Sequence, residues 1–193
     1  MARTKEFDPD SVLQRALELF WERGFEATSM ADLVEHLAIG KASLYATFGS
    51  KQQLYEKALQ RYTESTDPRI MAELSQPGPV LPAVRGLIER YAWEAAGDER
   101  HRGCLVVNSA VELAAREPGV ARQVEASWAL LETTLTSALL RAKAQGELRP
   151  DADPRALARF LLVFLQGVRV LERAPGAATR LRDAAAVAIA ALD

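Results

Sequence analysis

The chain contains 193 residues, of which 49% are hydrophobic and 26% are charged, and its formal net charge is -2. A chain of this length can bury a sizeable core, and its composition is typical of a globular protein. The single cysteine, Cys104, excludes an intramolecular disulfide, and the first residues lack the apolar centre of a signal peptide. Because no apolar run reaches the length of a membrane span, we expect a cytoplasmic protein without a membrane partner.

The first predicted element is a helix that begins after Asp8. The pair Asp8-Pro9 is typical of a helix start, since the Asp side chain can cap free N–H groups and Pro has no N–H to leave unpaired. Apolar residues recur at helical spacing up to Phe20, and Gly24 can end the helix. Alanine and leucine dominate the chain and β-branched residues are sparse, so we predict an all-α fold.

Residues 28–55 predict a helix-turn-helix. Ser29 and Asp32 have the spacing of a capping box at the start of one short helix. Residues 38–40 then break the pattern, and a second short helix covers 41–48 with two apolar residues turned inward. This arrangement can lay the second helix in the major groove of DNA.

A fourth helix is predicted from Ser50 to about residue 65, since Ser50 and Gln53 have the spacing of a capping box. Its free N–H groups and positive dipole suit a phosphate, and Lys51 lies beside them. Between residues 37 and 62, Glu56 is outnumbered by four cations, namely Lys41, Lys51, Lys57 and Arg61. This local excess fits a nucleic-acid surface, although an ordinary solvated face would have the same charges.

Further helices, about nine in all, are separated by loops rich in Pro and Gly. We predict them at 82–96, 104–116, 120–145, 153–171 and 177–192. The helix that ends at residue 171 is apolar on nearly every side, so it must be covered on more than one face.

Three motifs, Phe25 to Met30, Lys41 to Tyr45 and Phe48 to Leu54, lie within about residues 8–62. They resemble the N-terminal domain of TetR/AcrR-type transcriptional regulators. Residues 102–108 also resemble one AcrR-like subgroup, which is a weaker signal. The family often has Gly-Val-Ser where this chain has Ala38-Ile39-Gly40, and a histidine at the position of Thr47. These departures leave the base preference unpredictable.

The resemblance implies a DNA-binding transcriptional regulator, most simply a repressor, that binds a palindromic double-stranded DNA operator as a homodimer. A small-molecule effector would release it. The implied division places the helix-turn-helix domain at 1–50, a connecting fourth helix at 50–65, and a ligand-binding and dimerisation domain at 66–193. An activator would look the same in sequence.

The residues implied to contact DNA lie on the helix-turn-helix. Base edges are assigned to Lys41, Ala42 and Ser43, at the start of the recognition helix. Contacts to the phosphate backbone are assigned to Ser29, Tyr45, Thr47 and Lys51. Tyr45 could instead be a half-buried core aromatic residue.

An effector pocket is implied among helices five to eight. Its aromatic lining is predicted from Tyr91, Trp93, Trp128, Phe160 and Phe164, although most aromatic residues at helical spacing are ordinary core. Orienting polar groups are predicted at four-residue spacing, namely Cys104, Asn108 and Glu112, which could equally form a stripe facing solvent. Cys104 could be a redox or electrophile sensor or a small buried apolar residue.

The last two helices of each chain are predicted to form the dimer, although the helix at 153–171 could instead be the centre of a monomer core. Arg3 and Lys5 are either a basic arm or a disordered tail. We predict no cofactor and no metal, since His36 and His101 are the only histidines and lie apart. No catalytic motif is present, so an enzyme is not expected. A helical module that binds protein rather than DNA is the remaining alternative.

Overall fold

The computed structural model describes residues 7–97, 102–174 and 176–193, without the side chains of 95–97. These residues form helices and no strands, which confirms the all-α prediction. Arg3, Lys5 and His101 lie outside the described residues. In the described part, no helix is long and apolar enough to cross a membrane. The helices are α1 (Pro9–Arg23), α2 (Met30–Leu37), α3 (Lys41–Phe48), α4 (Lys51–Leu74), α5 (Leu81–Gly97), α6 (Leu105–Glu112), α7 (Pro118–Ala144), α8 (Pro154–Leu171) and α9 (Ala178–Ala190).

The predicted caps start the N-terminal helices. The Asp8 carboxylate accepts hydrogen bonds from the backbone N–H groups of Asp10 and Ser11 at the start of α1. Ser29 and Ser50 each form a complete capping box, at the starts of α2 and α4. These side chains accept from N–H groups that have no partner within the helix, so the sequence defines where each helix begins.

Helix α4 extends nine residues beyond the predicted end at 65, because it continues through Pro68 to Leu74. The predicted end was wrong because a Pro inside a helix removes only one N–H donor and disturbs one preceding turn. Leu74 is buried and Ile70 packs against the same core cluster. Burial of such side chains contributes roughly 1.5–3 kcal/mol each, which offsets the cost of the proline. Helix α6 is shorter than predicted and ends at Glu112 instead of 116.

Two apolar clusters form the core. One joins α1 to α4 with Leu105, Val106, Val120 and Val124 from α6 and the start of α7. The other contains residues of α5, α7, α8 and α9 together with Leu74 at the end of α4. The core of the helix-turn-helix bundle is therefore completed by α6 and α7. Movement of these two helices would change the packing of the bundle.

Helix α8 has two apolar sides, of which one is buried and the other is exposed. Leu161, Leu165 and Val168 are buried against the rest of the chain. Val163 is 71% exposed, and three further apolar side chains on this helix are also exposed: Phe160, Val170 and Leu171. The monomer therefore buries only one of the two apolar sides of α8.

The turn between α2 and α3 contains a strained alanine. Ala38 has φ 55° and ψ 38°, and it is the one non-glycine residue with positive φ in the described part. This left-handed conformation costs an alanine about 1–2 kcal/mol, which exceeds the ~0.4–1 kcal/mol of chain entropy that a glycine would add to the unfolded state.

We expect Ala38→Gly to raise the free energy of unfolding by about 0.5–1 kcal/mol, measured by urea denaturation. Ala46→Gly is the matched control, because Ala46 lies exposed within α3. This control should lower the free energy of unfolding by about 1 kcal/mol. Destabilisation by both changes would contradict strain at Ala38.

Candidate functional site

Helix α3 presents a continuous solvent-facing side. Lys41, Ala42 and Ser43 are exposed, whereas Leu44 and Phe48 are buried beneath them. Tyr45 is 43% exposed, on the outer side of the helix. Gly40 precedes α3 and offers no side-chain cap, so no side chain of the described residues accepts from the first N–H groups of α3. The residues predicted to contact bases therefore share one accessible surface.

The residues predicted to contact phosphate have different surroundings. The Ser29 hydroxyl donates to the Asp32 carboxylate and accepts from the Asp32 N–H, so the α2 capping box already engages it. Hydrogen bonds from Ser29 lower the pKa of Asp32. The Lys51 ammonium lies 4.0 Å from the centroid of the Phe25 ring, at the start of α4. Thr47 is half-buried.

A cavity of about 80 Å³ lies between α4, α5, α7, α8 and the start of α6. Three of the residues predicted from the sequence, Tyr91, Cys104 and Trp128, line it. Further lining residues were not predicted, and most are on the part of α4 beyond residue 60 and on α7 and α8: Tyr62, Thr66, Asp67, Ile70, Met71, Ser127, Leu130, Leu131, Thr134, Gln166 and Arg169.

The other aromatic residues predicted for the pocket lie outside this cavity. Trp93 is 76% exposed, because it lies two residues beyond Tyr91 and therefore on the opposite side of α5. Phe160 and Phe164 stack on each other on α8 with ring centroids 6.3 Å apart. Phe160 is 43% exposed, on the same helix as Val163.

The predicted polar line of α6 is divided in the structure. Cys104 faces the cavity, beside the Tyr62 hydroxyl. The Asn108 amide donates to the Arg102 carbonyl at 2.9 Å, and Glu112 contacts the α1–α2 turn. Neither Asn108 nor Glu112 lines the cavity. In the structure the three side chains do not share one pocket, because the hydrogen bonds of Asn108 and Glu112 hold them against other parts of the chain.

Glu112 connects α6 to the helix-turn-helix bundle. Its two carboxylate oxygens accept hydrogen bonds from the backbone N–H groups of Phe25, at 3.1 Å, and Glu26, at 2.8 Å. A Cβ atom at Gly24, where φ is +86°, would lie 3.2 Å from these oxygens. Arg116 forms an ion pair with Glu26 at 3.2 Å beside this contact. The sequence carries no signal for the contact, because it joins residues 86 or more positions apart.

Two more hydrogen bonds cross between the bundle and α6. The Trp21 indole donates to the Gly103 carbonyl at 2.7 Å. The Tyr55 hydroxyl lies 2.8 Å from the Ser109 hydroxyl, which itself donates to the Leu105 carbonyl. Because a hydroxyl has one proton, Tyr55 must be the donor to Ser109. Burial, together with the nearby negative charge of Glu112, raises the pKa of Tyr55 to about 12.

The raised pKa of Tyr55 predicts a loss of stability in alkali. The unfolded chain releases this proton from pH about 10, whereas the folded chain holds it to about 12, so stability falls as the pH rises through this window. We expect the wild type to lose about 2 kcal/mol more than Tyr55→Phe between pH 9 and pH 12, measured by denaturant unfolding. Tyr45→Phe, at an exposed tyrosine, should behave as the wild type. Equal losses in the wild type and Tyr55→Phe would contradict the assignment.

The fold and this geometry define a class of protein: a helix-turn-helix DNA-binding protein whose bundle is joined to a helical unit with an internal cavity. Residues 12–58 match the family model for bacterial regulatory proteins of the tetR family. Residues 80–188 match the model for the C-terminal domain of proteins like the tetracycline repressor. The chain therefore belongs to the TetR family of transcriptional regulators, and it is not an enzyme.

Relatives and solved structures agree with this membership. An uncharacterized HTH-type transcriptional regulator of Bacillus subtilis, YezE, is 38% identical over the full length of both chains. The transcriptional repressor ComR of Escherichia coli is 33% identical over 89% of this chain and 82% of its own. A cysteine mutant of the TetR family regulator CifR, complexed with 26-bp double-strand operator DNA, superposes with a TM-score of 0.86. It is 31% identical, and the match covers all of both chains.

Proposed function

We propose that this protein is a ligand-responsive repressor that binds a palindromic operator as a homodimer and is released by a small molecule. The observation that carries the proposal is the accessible side of α3, where Lys41, Ala42 and Ser43 stand free of the core. Two relatives support it: ComR is a repressor, and the structure of the CifR mutant is a complex with operator DNA. DNA reading would belong to residues 1–50, and ligand binding and dimerisation to 66–193, with α4 between them.

The proposed contacts to DNA follow from positions on the bundle. Lys41, Ala42 and Ser43 would reach base edges, while Tyr45, Thr47 and Lys51 would contact phosphates. The Ser29 side chain is engaged in the capping box of α2. Its proposed role in phosphate binding is therefore to position the start of α2 against the DNA backbone. In a two-fold dimer, the two copies of α3 would enter successive major grooves roughly 34–36 Å apart.

The proposed dimer surface consists of α8 and α9. Val163 and Val187 are 71% and 69% exposed, and Phe160 and Val170 extend the apolar side of α8. Two copies of α8 and α9 packed together would form a four-helix bundle that covers these side chains. This pairing accounts for the apolarity of α8 that the monomer leaves uncovered.

The cavity beside Tyr91, Cys104 and Trp128 is the proposed effector site. It touches α6, and α6 is bound to the helix-turn-helix bundle through Glu112, Ser109 and Gly103. A ligand that fits the cavity in one arrangement of these helices would favour that arrangement of the bundle.

The direct test is binding to the intergenic DNA that flanks the gene. A gel shift should show a salt-sensitive complex, and candidate small molecules added to the complex should release it. If the purified dimer shows no salt-sensitive binding to this DNA, the helix-turn-helix serves another purpose. Complexes that persist with every cavity ligand would contradict release by an effector.

Removing Lys51 should weaken binding to every DNA sequence alike. For Lys51→Ala we expect the slope of log affinity against log salt to become shallower by about one unit, since one phosphate contact is lost. Fluorescence anisotropy at several salt concentrations measures this slope. Arg149→Ala removes one exposed cation far from the helix-turn-helix and should leave the slope unchanged. An unchanged slope for Lys51→Ala would argue against its phosphate role.

A further inference from the structure

The cavity contains one acidic group that the protein leaves poorly satisfied. Asp67 lies on its wall, on the part of α4 beyond the predicted end. One carboxylate oxygen is 3.4 Å from the Ser127 hydroxyl and 3.5 Å from the Thr66 hydroxyl. The Thr66 hydroxyl also lies 3.0 Å from the Tyr62 carbonyl, which is the better acceptor for its single proton. Both contacts to Asp67 are at the limit of hydrogen bonding.

No cation of the described residues forms an ion pair with Asp67, whereas the cation of the cavity is fully engaged. Arg169 forms ion pairs with Glu172 at 3.0 Å and Glu94 at 3.3 Å, and its guanidinium lies 4.2 Å from the centroid of the Tyr91 ring. Glu172 is 2% exposed, so its ion pair with Arg169 is shielded from water. With Arg169 neutralised, the wall of the cavity is left with the negative charge of Asp67.

The rest of the wall also favours a positive ligand. The Tyr62 and Trp128 rings line the cavity, and aromatic faces attract cations. The Trp128 indole N–H donates to the Gln166 side chain at 3.2 Å, so this ring has no spare donor for an anion. Ile70, Leu131 and Val106 supply an apolar surface for a short hydrocarbon body.

From this geometry we infer that the cavity takes a small organic cation, a protonated amine with a short apolar body, with Asp67 as its counter-ion. The inference rests on the proposed role of this cavity as the effector site. It goes further by specifying the charge and the size of the ligand. A cavity of about 80 Å³ excludes large or multi-ring cations unless the surrounding helices separate. Burial raises the pKa of the Asp67 carboxyl, and the positive charge of an amine in the cavity would lower it again.

Three probes of the same shape and different charge test the inference. Calorimetry of the full chain with n-butylamine, 1-butanol and butanoate at neutral pH should rank the amine first, at least about tenfold tighter than the alcohol. Asp67→Asn keeps the shape and removes the charge, so the amine should then bind within about twofold of the alcohol. Asp151→Asn, at an exposed carboxylate, should keep the preference of the wild type.

A second variant locates the site. Leu131→Phe fills part of the cavity and should weaken all three probes at least about tenfold. The inference is overturned if the wild type binds the alcohol as tightly as the amine, or binds none of the probes. It is also overturned if Asp67→Asn keeps the preference for the amine, or if Leu131→Phe binds the amine as the wild type does. DNA binding of the ligand-free chain is measured separately. Its absence would contradict the proposed function while the amine preference still stood, so the two failures are distinguishable.

Discussion

Replacement of Val163 by Glu is expected to convert the protein to a monomer and to weaken operator binding by at least about a thousandfold. Val163 is 71% exposed on α8, in the middle of the apolar side proposed as the dimer surface. In a two-fold dimer each substitution occurs twice, and each buried carboxylate without a partner costs several kcal/mol. Since a palindromic operator is read by two copies of α3, loss of the dimer removes half of the contacts.

Sedimentation in dilute solution measures the oligomeric state, and fluorescence anisotropy measures operator affinity. Val111→Glu is the matched control, because Val111 is an 81% exposed valine on α6, outside the proposed dimer surface. This control should remain a dimer and bind DNA as the wild type does. If Val163→Glu remains a dimer at the same concentration, the proposed interface is wrong, whatever happens to DNA binding.

The helix-turn-helix could be read from the sequence because its signals are local. Ser29 with Asp32 and Ser50 with Gln53 specify helix starts within three residues of themselves, and both capping boxes form as predicted. The four-residue spacing of Leu44 and Phe48 likewise predicts which side of α3 is buried and which is exposed. Ala38 is the local exception, since its left-handed conformation is imposed by the turn against the preference of an alanine.

The cavity could not be read in the same way, because its residues come from five helices. Asp67 was missed because the sequence predicts the end of the fourth helix at about residue 65, whereas tertiary packing of Leu74 continues α4 through Pro68. The sequence pattern does not distinguish Tyr91 from Trp93 as pocket residues. Only the packing of α5 buries Tyr91 and exposes Trp93. Periodicity identifies apolar faces, but it does not tell a core face from a cavity wall.

The largest effect on communication between the cavity and the DNA-binding bundle is expected at Glu112. Its carboxylate accepts two backbone N–H groups of the α1–α2 turn, and these groups have no other described acceptor. Hydrogen bonds to charged groups contribute about 1.5–3 kcal/mol each, so the loss of both in Glu112→Ala should lower the free energy of unfolding by about 3–6 kcal/mol. Glu112→Gln keeps one acceptor oxygen and should lie between Glu112→Ala and the wild type.

The same change should weaken the response to ligand more than DNA binding itself. The bundle retains its own buried core in Glu112→Ala, so operator affinity at low temperature should fall less than about tenfold. The ratio of operator affinities without and with a cavity ligand should approach one, because α6 would then move without pulling the α1–α2 turn. Glu117→Ala is the control: Glu117 precedes α7 without a side-chain cap bond, and its loss should leave both stability and ratio as in the wild type. An unchanged ratio in Glu112→Ala would mean that the signal passes through Trp21 and Tyr55 instead.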